Sequence, residues 1–270
     1  MSSLTFSVQN QWGGDSKPWH PGGLWVIGGR EGQPVVALDL TSEDDGQSLQ
    51  GTMTYRGEGP IGFRATRLAT NTFAVENQWG GNTAPWHPGG TWVLGGRGDQ
   101  AMVAIKVTSK DNGATLEGTM TYNGEGPIGF KSEHEATGAL YTVENQWGGS
   151  QAPWHYGGLW VIGGRNNQSV DAVHVTSPDN GKSLDGNMVY HGEGPIGFQG
   201  KQVCGNTYDV ANQWGGDKAP WHKGGAWLIG CRGPQLPVGL QITSSNNGAS
   251  FSGTMTYDGE GPIGFRAKKA

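Results

Sequence analysis

An all-β fold follows from three features of this 270-residue chain. Apolar residues alternate in short runs, turn-forming residues separate those runs, and no segment carries a sustained helical period. A total of 50 glycines fits the same class, because glycine weakens helices and supplies turns and close backbone approaches. In the opening repeat, LTFSVQNQ alternates, and LWVIGG, PVVALDLTS, LQGTMTY and IGFRATRL follow as four more strands. The turn-formers GGDSKPWHPGG, REGQP, EDDGQS and RGEGP separate them. The expected path is an antiparallel meander.

This pattern occurs four times. QWGG begins at Gln11, Gln78, Gln146 and Gln213, so its tryptophans are 67, 68 and 67 residues apart. Each copy then runs 51 residues from that tryptophan to the phenylalanine of GEGPIGF, as from Trp12 to Phe63. The whole irregularity lies in the second junction, KSEHEATGALYTVENQW, which is one residue longer. A domain boundary there gives residues 1–133 (repeats 1–67 and 68–133) and 134–270 (repeats 134–202 and 203–270). A four-bladed propeller or two ten-stranded barrels of two repeats each accommodate four such units. The unequal junction favours pairing.

GEGPIGF, starting at Gly57, Gly124, Gly192 and Gly259, fits the G-x-G-x-x-G pattern of dinucleotide sites. That fingerprint needs a helix after it, whereas IGFRATRL has strand character. Pro60 also lacks the N–H that would meet a phosphate. A hairpin tip fits better, with Gly57 and Gly59 flanking Glu58 and leaving its carboxylate unshielded.

Composition excludes several classes. A net charge of −5 without clustered Lys or Arg opposes nucleic-acid and anionic-membrane binding. No long apolar run predicts membrane insertion, and no basic-then-apolar leader is seen, so the chain is expected to be cytoplasmic as synthesised. Cys204 and Cys231 read as free thiols of a reducing compartment. His20, His87, His155 and His222 have no second ligand nearby, and TSEDDGQ lacks the spacing of a calcium loop. No metal and no cofactor are expected.

Comparing the copies isolates the charges that persist. These are Arg30, Arg97, Arg165 and Arg232, and Glu58, Glu125, Glu193 and Glu260, always 28 residues apart. Trp12, Trp79, Trp147 and Trp214 persist directly before Gly-Gly, where an indole face stays open. Trp25 and its equivalents sit inside a strand and read as core, while Trp19 and its equivalents read as packing residues. In an antiparallel path alternate loops emerge at opposite ends. Arg and Glu of one repeat therefore share an end, and a site containing Trp must take it from the partner repeat. A flat indole, a cation, a carboxylate and open main chain suit a pyranose ring. The rival reading is a glycoside hydrolase using the loop glutamates. It requires two carboxylates about 5–9.5 Å apart, yet only one acidic position persists.

QWGG, PWH, GGR, GTMTY and GEGPIGF together resemble the Oscillatoria agardhii agglutinin homologue family of lectins, over nearly the whole chain. The resemblance implies two tandem ten-stranded antiparallel barrels and metal-independent, multivalent recognition of the branched mannose core of high-mannose N-glycans. It implies glycoprotein partners on cell surfaces or viral envelopes, hence agglutinating and antiviral activity. Carried onto matching positions, the first barrel's sites are Trp12 with Arg97 and Glu125, and Trp79 with Arg30 and Glu58. The second barrel's are Trp147 with Arg232 and Glu260, and Trp214 with Arg165 and Glu193. Gly13, Gly80, Gly148 and Gly215 are implied backbone contacts, with Gly59, Gly126, Gly194 and Gly261. Departures cluster in the fourth copy, where Cys231, Gly233, Pro234 and Pro237 surround Arg232 and place that site's geometry in question.

Overall fold

The computed structural model describes residues 3–28, 33–95, 97, 100–135, 138–163, 165, 168–230, 232 and 235–270. Arg30, Cys231, Gly233 and Pro234 lie outside the described residues. The structure divides into two compact units, Met1–Ala136 and Thr137–Ala270. The expected division after residue 133 falls inside a strand. His134 still pairs with Phe6, and the Glu135 N–H donates to the Thr5 carbonyl, so both residues belong to the first unit.

The first unit contains β1 (Ser3–Gln11), β2 (His20–Gly28), β3 (Val35–Thr41), β4 (Ser48–Tyr55), β5 (Ile61–Ala69), β6 (Thr72–Gln78), β7 (His87–Val93), β8 (Met102–Thr108), β9 (Thr115–Tyr122) and β10 (Ile128–His134). The second contains β11 (Ala139–Gln146), β12 (His155–Ile162), β13 (Val170–Thr176), β14 (Ser183–Tyr190), β15 (Ile196–Cys204), β16 (Thr207–Gln213), β17 (Trp221–Leu228), β18 (Pro237–Thr243), β19 (Ser250–Tyr257) and β20 (Ile263–Lys269). Each unit is one closed antiparallel barrel, ordered β1-β10-β9-β8-β3-β4-β5-β6-β7-β2 in the first and β11-β12-β17-β16-β15-β14-β13-β18-β19-β20 in the second.

The path is not the expected meander. β2 pairs with β7, and β3 pairs with β8, so the chain crosses from one repeat to the other between its second and third strands. Strand direction still alternates around the ring. The loops β1–β2, β7–β8 and β9–β10 therefore share one barrel end, and β4–β5 and β6–β7 share the other.

Period-two patterning marks strands such as β4, whereas β2 and β12 are buried residue after residue over most of their length. In β4, Leu49, Met53 and Tyr55 are buried while Gln50 and Thr52 face out. Gly51 interrupts that strand with φ +150°, and a Cβ there would lie 2.1 Å from the Asp39 carbonyl oxygen. Gly118, Gly186 and Gly253 repeat the feature. Only glycine lets the two backbones come so close.

The cores explain why repeats work in pairs. Trp25 of the first repeat packs on Phe130 of the second, with ring centres 5.0 Å apart, and Trp92 packs on Phe63 at 5.3 Å. Trp160 on Phe265 and Trp227 on Phe198 do the same in the second unit. All four indoles are buried, each supplying about 1.5–3 kcal/mol by the usual measure of apolar burial. A lone repeat would leave its Trp and Phe without partners.

Candidate functional site

The tryptophan loop is held from below by its own glutamine. Gln11 Nε2 donates to the Asp15 carbonyl at 3.1 Å and to the Lys17 carbonyl at 2.5 Å. Gln78, Gln146 and Gln213 bracket the other three loops in the same way. Gly13 and Gly14 then turn the chain with φ of +85° and +101°, a conformation that favours glycine. Trp12, Trp79, Trp147 and Trp214 remain 38–43% exposed, a large apolar surface for a chain this polar. His20 stacks on Trp12 with ring centres 4.1 Å apart and planes 16° from parallel, and His87, His155 and His222 repeat the stack. The repeated histidine thus orients the indole.

A guanidinium from the partner repeat lies near three of these indoles. Arg97 Cζ is 4.9 Å from the Trp12 ring centre, Arg165 Cζ is 4.9 Å from Trp214, and Arg232 Cζ is 4.9 Å from Trp147. Tyr122, Tyr190 and Tyr257 lie beneath the same three arginines, at 4.7–5.2 Å, and plug the barrel ends. Arg97 Nη1 reaches both carboxylate oxygens of Glu125 at 2.6 Å, and Arg165 and Arg232 pair with Glu193 and Glu260.

A glutamine completes each constellation. Gln100 Nε2 donates to Glu125 Oε1 at 3.2 Å, and Gln168 donates to Glu193 Oε1 at 3.1 Å. Gln33 donates to Glu58 Oε1 at 3.1 Å, and Gln235 donates to Glu260 Oε1 at 3.5 Å. The Arg97 hydrogen bond holds the Glu125 carboxyl below its ordinary value, with Gln100 assisting. For Glu193 the Gln168 hydrogen bond leads and Arg165 follows, in the same direction. The Glu125 and Glu193 carboxylates stay ionised and accepting at neutral pH.

The structure therefore brings Trp12, Arg97 and Glu125 together, and likewise Trp147 with Arg232 and Glu260, and Trp214 with Arg165 and Glu193. Trp79 and Glu58 share the opposite end of the first barrel. Arg30, the fourth arginine, is outside the described residues. Despite the departures in sequence beside it, Arg232 stands as far from Trp147 as Arg97 does from Trp12 and Arg165 from Trp214. Gly59, Gly126, Gly194 and Gly261 follow the glutamates, and a Cβ at any of them would meet nothing within 4 Å. Main chain is accessible there.

Two sets of residues escaped the sequence reading. Gln33, Gln100, Gln168 and Gln235 stand three residues after the repeated arginine in every copy, a signal visible in the repeats but carried by an uncharged residue. The tyrosine of MTY or MVY persists as well, yet a buried tyrosine looks like core until the arginine is seen above it. Trp19 and Trp221, read as packing residues, are 36% and 40% exposed. Trp19 does pack, since its Cη2 lies 3.3 Å from where a Cβ of Gly129 would stand.

Comparison with known proteins matches this architecture. The model of the OAA-family lectin sugar binding domain fits residues 4–68, 71–135, 139–203 and 206–270, once per repeat. Myxobacterial hemagglutinin from Myxococcus xanthus is 60% identical over 263 residues, covering 97% of this chain and 98% of that protein. The crystal structure of Burkholderia oklahomensis agglutinin aligns with a TM-score of 0.92 at 65% identity, over 98% of this chain and 95% of that one. The Myxococcus xanthus hemagglutinin, crystallised in complex with α3,α6-mannopentaose, aligns with a TM-score of 0.90 at 59% identity, over 98% and 100% of the two chains. With four matched repeats and two barrels, this chain belongs to the OAA-family lectins.

Proposed function

We propose that this lectin binds the branched α-mannose core of high-mannose N-glycans, without a metal ion, at four sites of one design. The observation that carries the reading is the repeated meeting of an exposed indole, a guanidinium and an Arg- and Gln-held carboxylate, drawn from two repeats. The apolar C–H face of a mannose packs on Trp12 beside the Arg97 guanidinium. Sugar hydroxyls donate to Glu125, and Arg97 N–H groups donate to sugar oxygens. Main-chain groups at Gly126, where no side chain stands within 4 Å of a would-be Cβ, and at Gly13 beside Trp12 complete the contact. Charge-assisted hydrogen bonds contribute about 1.5–3 kcal/mol each before ordering costs. The mannopentaose complex of the Myxococcus relative supports this choice of sugar.

The partners are glycoproteins carrying such glycans, on cell surfaces or viral envelopes. Several sites on one chain raise avidity on a multivalent glycan surface by about 10² or more where spacing allows. Each constellation offers one carboxylate, so the glutamates act in binding rather than hydrolysis. The test is calorimetric titration with α3,α6-mannopentaose, with and without EDTA. Four equivalents of sugar bound, unchanged by EDTA and with the sugar recovered intact, are expected. Absence of binding, dependence on metal, or release of mannose would overturn the reading.

A further inference from the structure

The outer wall where the third copy meets the fourth differs from its three equivalents. In three copies a cation lies over the tryptophan of the PWH tripeptide. Lys131 Nζ covers Trp19, Arg64 Cζ covers Trp86 and Arg266 Cζ covers Trp154, each 4.4 Å from the ring centre. Arg64 is anchored in turn by Glu76 at 2.6 Å, and Arg266 by Glu144 at 2.5 Å. Beside Trp221 the corresponding pair is Gln199 on β15 of the third copy opposite Ala211 on β16 of the fourth. Among the described residues no cation lies over Trp221.

Trp221 keeps the orientation of its three equivalents. Its Cη2 lies 3.1 Å from where a Cβ of Gly197 would stand, as in the capped copies. It is 40% exposed, whereas Trp86 and Trp154, under arginines, are half-buried. The register puts the third copy's other departure at the same place. Asn187, a threonine elsewhere, stands opposite Gly197. Gln199, Ala211 and Lys223 form the next cross-strand row, and they open into a groove of about 680 Å³. Asp185, Asp209, Lys201 and Lys223 edge that groove with both signs of charge. Such an edge favours a neutral ligand rich in hydroxyls over an anion or a cation.

We infer that Trp221, in the fourth copy, is a second stacking platform for a neutral pyranose, uncapped unlike its three equivalents and continuous with the Trp214 site. The inference rests on the saccharide reading of that site. Trp214 and Trp221 bound one loop, and in the first barrel the equivalent Trp12 and Trp19 line a single groove of about 480 Å³. A glycan arm leaving the Trp214 site is thus led along the wall to Trp221. There its C–H face meets a bare indole, and Gln199 and Asn187 offer amides to its hydroxyls.

The test follows the indole N–H signals of the chain by nuclear magnetic resonance during titration with a full high-mannose N-glycan. Trp221→Phe and Trp214→Phe assign the two signals that matter. Both are expected to move in the parent protein. In Gln199→Arg/Ala211→Glu, which restores the cap seen at Arg64 and Glu76, the Trp221 response disappears. Affinity read at Trp214 then falls roughly 2- to 10-fold, the worth of one aromatic contact. Movement of Trp214 with a silent Trp221, or an unchanged affinity after capping, overturns the inference and leaves the saccharide reading intact. Silence at both overturns the two together.

Discussion

At the scale of single residues, the carboxylate is the group whose state decides the site. Glu125→Gln removes the charge while keeping the shape. Calorimetry should show that site weakened by about 10- to 100-fold, with one equivalent lost from the stoichiometry at ordinary concentrations. Gln100→Ala should weaken it only a few-fold, because Arg97 still holds Glu125. The pH dependence follows from the depressed Glu125 and Glu193 values. A carboxyl lowered from 4.5 remains ionised above that value and is protonated only as pH falls through the lower one. Binding at the Glu125 and Glu193 sites and the share of stability from their ion pairs should therefore hold from neutral pH down to near 4.5, then decline together as pH falls through the lowered values. Loss of binding already near pH 6 would show that another group governs the site. Arg, Glu and Trp were legible in the sequence because four copies kept them amid drifting neighbours. Gln100 was equally constant, but its role depends on a hairpin folding back from residue 125, which no local pattern announces.

At the scale of elements, strands were easier to read than their partners. Alternation marks a half-buried strand wherever it occurs, and every run read as a strand in the first repeat falls on one, but β2 begins at His20, inside the stretch read as a turn. Pairing of β2 with β7 and of β3 with β8 joins different repeats, so nothing local distinguishes it from a meander. The hairpin of β3 and β4 also imposes a steric demand. Gly51→Ala would force a Cβ to 2.1 Å from the Asp39 carbonyl oxygen, so β3 and β4 must separate. Denaturant unfolding should report a loss of roughly 1–3 kcal/mol, as for overpacked cores. Affinity of the remaining folded protein for mannopentaose should not change, since Gly51 sits in the middle of β4 and not in a loop that carries a site residue. The loop bracket makes the opposite prediction. Gln78→Ala frees the turn carrying Trp79, and should weaken that site while leaving the unfolding midpoint nearly unaltered.

At the scale of the whole molecule, each unit owns a complete core. Phe6, Trp25, Phe63, Trp92 and Phe130 belong to one cluster, and Tyr141, Trp160, Phe198, Trp227 and Phe265 to the other. Residues 1–136 expressed alone should fold cooperatively and bind two equivalents of mannopentaose, whereas residues 1–69 should show no cooperative unfolding transition. The two-repeat grouping was legible from one extra residue at the second junction. Its physical cause, Trp25 on Phe130 and Trp92 on Phe63, became visible only in three dimensions.

That exchange of aromatic partners limits how such a chain can change its length. A duplication of one repeat would supply a tryptophan and a phenylalanine whose counterparts already have companions, together with strand edges lacking a closing neighbour. A third, unmatched copy would either remain unfolded or recruit its twin from another molecule, turning a genetic event into a dimer. Growth by even steps avoids both outcomes, and each such step adds glycan sites in pairs facing away from opposite ends of a new barrel.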